Sequence, residues 1–354
     1  MQSRQSFFRT FTLFACLLLA GSSLQAGRRH GDVDKIGNRS VSGHVFGILP
    51  NMISFEKEVQ IGSQVAMQFE QTAKLVEDPV VTEYVDRVGQ GIVKKSDAKV
   101  PFHIKVVDTD EVNAFALPGG YFYVNKGLIL EAENEAELAG VMAHEISHVA
   151  ARHATQRLSK AQYMQFAAIP AMIFAGPAYG TLGSVALQNG LGLSIDLALL
   201  GITRSSEAEA DQLGIQYLWN TGYDPSAFIT FFEKLKAKEK KKPGAFAGFF
   251  RTHPSPEDRI TASQEEERLL PGKSEYVLTT SEFDRVKSRL VAIDNKQLVP
   301  GSPTGKSGTG RPQLKRKTQT GDPDEKPTLK RKPTLKKDTP PDSPDPAPPP
   351  PPLN

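Results

Sequence analysis

The sequence predicts an α+β fold, a mainly helical domain with a small β-sheet, followed by a disordered Pro/Lys-rich tail. Three observations carry this. Apolar residues recur at helical spacing through most of residues 51–295. Strand-like alternation is confined to one short region, near 102–124. From residue 296 onward the chain is rich in Pro, Lys, Thr and Asp and nearly free of aromatics.

At 354 residues the chain can hold one large or two small domains. A hydrophobic content of 39% is low for a chain that folds throughout, and a net charge of +3 is too small to argue for a nucleic-acid partner. Residues 1–26 have the form of a secretory signal. Arg4 and Arg9 open it, FTLFACLLLA is an apolar run of 10 residues, and Ala26 or Ser22 offers a cleavage point. A membrane span needs roughly 18 or more apolar residues, so an anchor is the poorer reading. The expectation is export, to the periplasm if the source is a Gram-negative bacterium. Cys16, the one cysteine, lies inside the apolar run, which continues behind it as LLLA and so argues against lipidation. With the signal removed no disulfide can form, and stability must come from a core or a metal.

After a linker over 27–50, EKEVQIGSQVAMQFEQTAKLV reads as a helix with Val59, Val65, Phe69 and Leu75 near one face. EDPVVTEYVDRVGQGIVKK reads as a second helix ending near Gly91. PFHIKVVDT alternates Phe102, Ile104 and Val106 as a strand does, and AFALPGGYFYVNKGLIL reads as two short strands around a Pro-Gly-Gly turn at 118–120. Asn134 caps the next helix, with Glu137 closing a capping box. Further helices are expected over 207–220, from Pro225 to about Lys238, near 255–270 and over 281–293. The stretch 161–195 holds no charged residue but is broken by Pro170, Pro177 and several glycines. It reads as two buried helices or an apolar cover over a cleft, with shallow membrane contact as an alternative.

The helix after Asn134 contains HEISH. Four residues advance a helix by about 400°, so His144 and His148 point the same way, and Glu145 sits about 100° around. Zinc catalysis wants this arrangement: imidazoles hold the ion, an open position holds water, and a carboxylate takes the water's proton. With 7 histidines in the chain, an accidental match is expected on the order of once per hundred chains of this length. His153 lies about 180° from His144 on a continuous helix, and HEISHVAARHA lacks the glycine of the HExxHxxGxxH pattern, so His153 reads as structural. The third ligand is better sought in TRSSEAEADQLG, where Glu207 and Asp211 share a helix face. One carboxylate can bind zinc while the other accepts the outer ring N–H of a ligating histidine.

HEISH followed by EAEAD, with NAFALPGG before and RTHPSPEDRI after, resembles the zinc metallopeptidases that include HtpX and the CAAX prenyl proteases. With GYDP at 222–225 and no obvious membrane spans, the chain is most similar to their exported bacterial branch, over roughly residues 51–265. The resemblance implies a zincin-like metallopeptidase domain over 51–295 with one Zn2+ per chain. It makes His144, His148 and Glu207 the ligands, Glu145 the catalytic base, and Asp211 the last residue of the ExxxD motif. Arg204 matches the arginine before that motif, Asn113 begins the edge beside which substrate lies, and His253 and Arg259 match an HPxxxxR element facing the active site. The Pro-rich tail has no counterpart in that pattern.

The expected activity is hydrolysis of extended or misfolded polypeptides, held by strand addition along residues 114–124. His253 or Arg259 would be the second donor to the oxyanion. His253 could instead fill the fourth zinc position as a latch. The rivals are a chaperone-like or assembly factor with a closed zinc site, and a scaffold bound to membrane or cell wall. Peripheral contact of that kind would run through 161–195 or through the tail, which carries 12 Lys and Arg against 6 Asp and Glu. A solvated spacer is the plainer reading of the tail.

Overall fold

A computed structural model describes residues 33–43, 45, 48–175, 203–244, 246–253 and 257–297. The signal over 1–26, the stretch 176–195 and the tail beyond 297 lie outside the described residues. Within them the chain is mostly helical, with one open three-stranded sheet. No described helix is long and apolar enough to cross a membrane.

Residues 33–43, inside the stretch read as a linker, hold to the domain through Asp97. Its buried carboxylate accepts from Gly37 N at 2.7 Å, Arg39 Nε at 2.8 Å and Tyr217 Oη at 3.0 Å. Helix α1 (Phe55–Glu70) starts on Ser54, whose hydroxyl accepts from Lys57 N. It stops six residues short of the expected end, because Leu75 is drawn into an antiparallel bridge with Val107. Helix α2 (Pro79–Lys94) has Asp78 as its cap and proline in its first turn, where the missing N–H costs nothing, and it runs past Gly91.

Strands β1 (His103–Val107), β2 (Ala114–Leu117) and β3 (Tyr121–Asn125) form the sheet in the order β1-β3-β2. β3 pairs parallel with β1 and antiparallel with β2, in register Ala114↔Val124 to Leu117↔Tyr121. β2 is therefore an outer strand. The turn Pro118–Gly120 between β2 and β3 presses on α1: a Cβ at Gly62 would stand 1.7 Å from Pro118 O. Only glycine permits that approach. GLIL, expected as strand, lies in helix α3 (Lys126–Glu131). Four apolar residues are too few to tell the two periods apart.

Helix α4 (Glu135–Ala150) carries HEISH, and all of its residues are buried. Asn134 caps it by accepting from Glu137 N at 2.9 Å. The capping box is displaced by one residue, since Glu137 accepts from Glu133 N at 2.8 Å rather than from Asn134 N. Helix α5 (His153–Ala175) follows at once. Helices α6 (Arg204–Thr221), α7 (Ser226–Lys241), α8 (Ala247–Thr252), α9 (Glu257–Leu269) and α10 (Ser281–Gln297) complete the described fold. The core wraps α4, with Phe228, Phe231 and Phe232 of α7, Leu213 and Leu218 of α6 and Val85 of α2 among its members.

Candidate metal centre

α6 crosses α4 at Gly214, where a Cβ would come within 3.2 Å of His144 Cα. The close crossing brings the carboxylates of α6 onto the imidazoles of α4. His148 Nε2 lies 3.1 Å from His144 Nε2 and 3.2 Å from Glu207 Oε1, and His144 Nε2 lies 3.6 Å from Glu207 Oε2. His253, one residue past α8, reaches the same point, with Nδ1 at 3.2 Å from His144 Nε2 and 3.3 Å from Glu207 Oε2. One donor atom from each of these four buried residues falls within 4.8 Å of every other.

These separations test what the site can hold. Zinc ligands at about 2.0–2.1 Å in a tetrahedron stand roughly 3.3–3.4 Å from one another. The observed 3.1–3.6 Å fits that figure, and three nitrogens with one carboxylate oxygen suit zinc. Charge points the same way. Glu145, Glu207 and Asp211 are all buried, and among the described residues the one permanent cation in contact with Glu207 and Asp211 is Arg259. Among the described residues, Glu207 Oε1 and Glu145 Oε1 make no well-aligned hydrogen bond, and each meets only a histidine nitrogen at 3.2 Å. Burial raises the Glu207 carboxyl, but contacts to His144, His148 and His253 outweigh it and hold the group far below the usual range. Burial pushes His148 down to about 4, which keeps it in the neutral form a metal requires. Burial also opposes charge on His253, but Glu145 and Glu207 lift that ring to about 9.

Asp211 Oδ1 stands 2.9 Å from His144 Nδ1, on a line bent from a strong hydrogen bond. From that side it can set the tautomer that turns Nε2 to the metal. Arg259 does not face open space. Its Nε and Nη2 each donate to Asp211 at 2.6 Å, and Nη1 lies 2.7 Å from Glu207. Glu145 Oε1 lies 3.2 Å from His253 Nε2. Arg204 is exposed at the start of α6. Asn113 is buried beside β2 with its side chain turned onto its own strand, accepting from Ala114 N. A cleft edged by Phe115, Ala116 and Leu117 of β2 runs beside Glu145, His148 and His253.

The model of peptidase family M48 matches residues 79–267. The chain belongs to that family. It is 32% identical over 249 residues to the beta-barrel assembly-enhancing protease of Escherichia coli strain K12, covering 69% of this chain and 50% of that one. It is 31% identical over 263 residues to the Yersinia pestis protein of that name, covering 70% and 52%. It is 32% identical over 189 residues to the mitochondrial metalloendopeptidase OMA1 of Schizosaccharomyces pombe, covering 52% of each. The chain thus spans about half the length of the curated relatives it matches.

The helix wheel separated His153 from the site, yet its ring stands against the outer side of His148, Nδ1 to Nδ1 at 2.9 Å. Between them Arg152 takes φ +60°, a left-handed turn that ends α4 and starts α5. The signal available was the second acid of EAEAD, Glu209, whose Oε2 lies 3.2 Å from His153 Nε2.

Proposed function

We propose that the protein is an exported zinc metalloendopeptidase that hydrolyses extended or misfolded polypeptides in envelope protein quality control. It belongs by this reading to the bacterial branch of family M48 that lacks membrane spans, and works in the periplasm if the source is Gram-negative. The observation that carries the reading is the four-atom set of His144, His148, Glu207 and His253 with a carboxylate, Glu145, next to it. Bound zinc would make water acidic enough to lose a proton near neutral pH and would polarise the scissile carbonyl.

The chain's own residues supply the rest. Glu145 accepts the water's proton and returns it to the leaving amine. Asp211 and Arg259 fix His144 and Glu207 so that the ligand set is formed before substrate arrives. The outer edge of β2 offers backbone N–H and C=O groups to an extended polypeptide, a mode tolerant of side chains. With Arg259 committed to Asp211 and Glu207, His253 is the better candidate for a donor to the developing oxyanion.

His253 also supports a closed resting site. Its Nδ1 stands 3.2 Å from His144 Nε2 and its Nε2 3.2 Å from Glu145 Oε1, so with zinc bound one ring would fill the fourth position and face the base. The same contact favours the rival, an assembly factor with a shut zinc site, which the relatives' printed name accommodates. Contact of 161–195 or the tail with a membrane or wall belongs to the proposal, and the tail's part in it is separable from catalysis by deleting residues 296–354. The deciding experiment is metal analysis of the purified protein with casein cleavage, for wild type and Glu145→Gln. One zinc per chain is expected in both, with at least a roughly 10²-fold loss of rate in the variant. Cleavage near the wild-type rate in Glu145→Gln refutes the mechanism.

A further inference from the structure

We infer that His153 and Glu209 are positioning residues of the metal site, a relay that holds His148 in the one tautomer able to bind zinc. The inference rests on the zinc reading above and extends it to residues outside the ligand set. His148 Nε2 is the nitrogen that faces Glu207 and His144. Once Nε2 is given to a metal, the ring's proton sits on Nδ1 and needs an acceptor. Its partner there is His153 Nδ1, at 2.9 Å. A neutral His153 that accepts at Nδ1 carries its own proton on Nε2, which points at Glu209 Oε2, 3.2 Å away. Every proton in the chain from metal to Glu209 is then assigned.

The two histidines of HEISH are thus supported differently. His144 meets a carboxylate directly, Asp211 at 2.9 Å. His148 meets one through an intervening imidazole. All three acids of EAEAD find a use: Glu207 faces the metal, Asp211 steadies the first histidine, and Glu209 steadies the second through His153.

The backbone explains why this is built rather than incidental. On a continuous helix His153 would project away from His148. The left-handed Arg152 folds it back, a conformation that costs a side-chain-bearing residue energy. That turn is secured by contacts with no link to the metal. Arg152 pairs with buried Glu58 at 2.7 Å, donates to Ile53 O at 2.5 Å and lies over the Phe55 ring at 4.1 Å. His153 is itself buried, and Glu209 is half-exposed at the relay's outer end.

The test measures zinc affinity of the full chain by competition with a chromophoric chelator, beside long-range proton–nitrogen NMR of the histidine rings. Outer-shell partners of zinc-bound histidine are worth about 10–100-fold in affinity. His153→Leu should lose that factor. His153→Asn, whose side-chain oxygen can stand near the place of Nδ1, should recover part of it. A scaffold role alone would not produce that order. In zinc-loaded wild type, His148 should carry its proton on Nδ1 and His153 on Nε2. Wild type that binds no zinc refutes the metal reading itself. Wild type and His153→Leu binding zinc equally well overturn the relay while leaving that reading intact. Should His153→Leu not fold, the wild-type spectrum decides, and a proton on His153 Nδ1 overturns the relay.

Discussion

Replacing Arg259 with leucine separates two roles for this side chain by magnitude. Its guanidinium is buried and makes two hydrogen bonds to Asp211, both at 2.6 Å, with a third contact to Glu207 at 2.7 Å. Removing it strands two carboxylates in a region that already holds buried Glu145. Breaking a buried ion pair from one side costs about 3–5 kcal/mol, because the remaining charge keeps its desolvation penalty. A domain of this size loses about 2–4 °C of Tm per kcal/mol, so Arg259→Leu should melt roughly 6–20 °C lower. Circular dichroism with a chelator present is the right assay, since bound metal would otherwise add its own stabilisation. Arg259→Lys restores the charge without the planar fork and should fall between the two. A leucine variant that melts within about 3 °C of wild type would refute the reasoning. If that variant also kept zinc but cleaved about 10²–10³-fold more slowly, Arg259 would return to the role of transition-state donor.

Two further perturbations test other parts of the site. His253→Ala should keep zinc on its three remaining ligands and should cleave an unfolded substrate faster if the ring closes the resting site; cleavage slower by about 10²–10³-fold would make His253 a donor instead. Gly62→Ala places a methyl where Pro118 O stands 1.7 Å away, so α1 and the turn after β2 must part. A loss of at least about 1–3 kcal/mol by denaturant titration is expected, and an unchanged midpoint would refute the contact.

Residue types at fixed spacing made much of this site readable beforehand. The step from His144 to His148 and from Glu207 to Asp211 is one helical turn, and both pairs do share a face and meet at Gly214. Only the resemblance places His253, because no period links it to His144, 109 residues earlier, or to Glu207, 46 residues earlier. The resemblance makes Arg259 one of two candidate donors to the oxyanion, whereas in the structure its guanidinium is paired with Asp211 and Glu207. An unbroken helix would carry His153 away from the site, and the turn at Arg152 that prevents this depends on Glu58, Ile53 and Phe55, far away in sequence. The early end of α1 is of the same kind: helical spacing runs on to Leu75, but Val107 claims that residue for a bridge.

The outer strand β2 is four residues long, Ala114–Leu117. A polypeptide laid along it gains only a few ladder hydrogen bonds, each worth about 1 kcal/mol net. A typical domain is held folded by about 5–15 kcal/mol. The edge is therefore too short to pull a strand out of an intact neighbour. Under the proposed strand addition, it would seat only chain that thermal motion or failed assembly has already freed. Under the proposed peptidase activity, selection between sound and damaged proteins would then need no recognition element at all, because each substrate's own folding free energy would set how often it is cut.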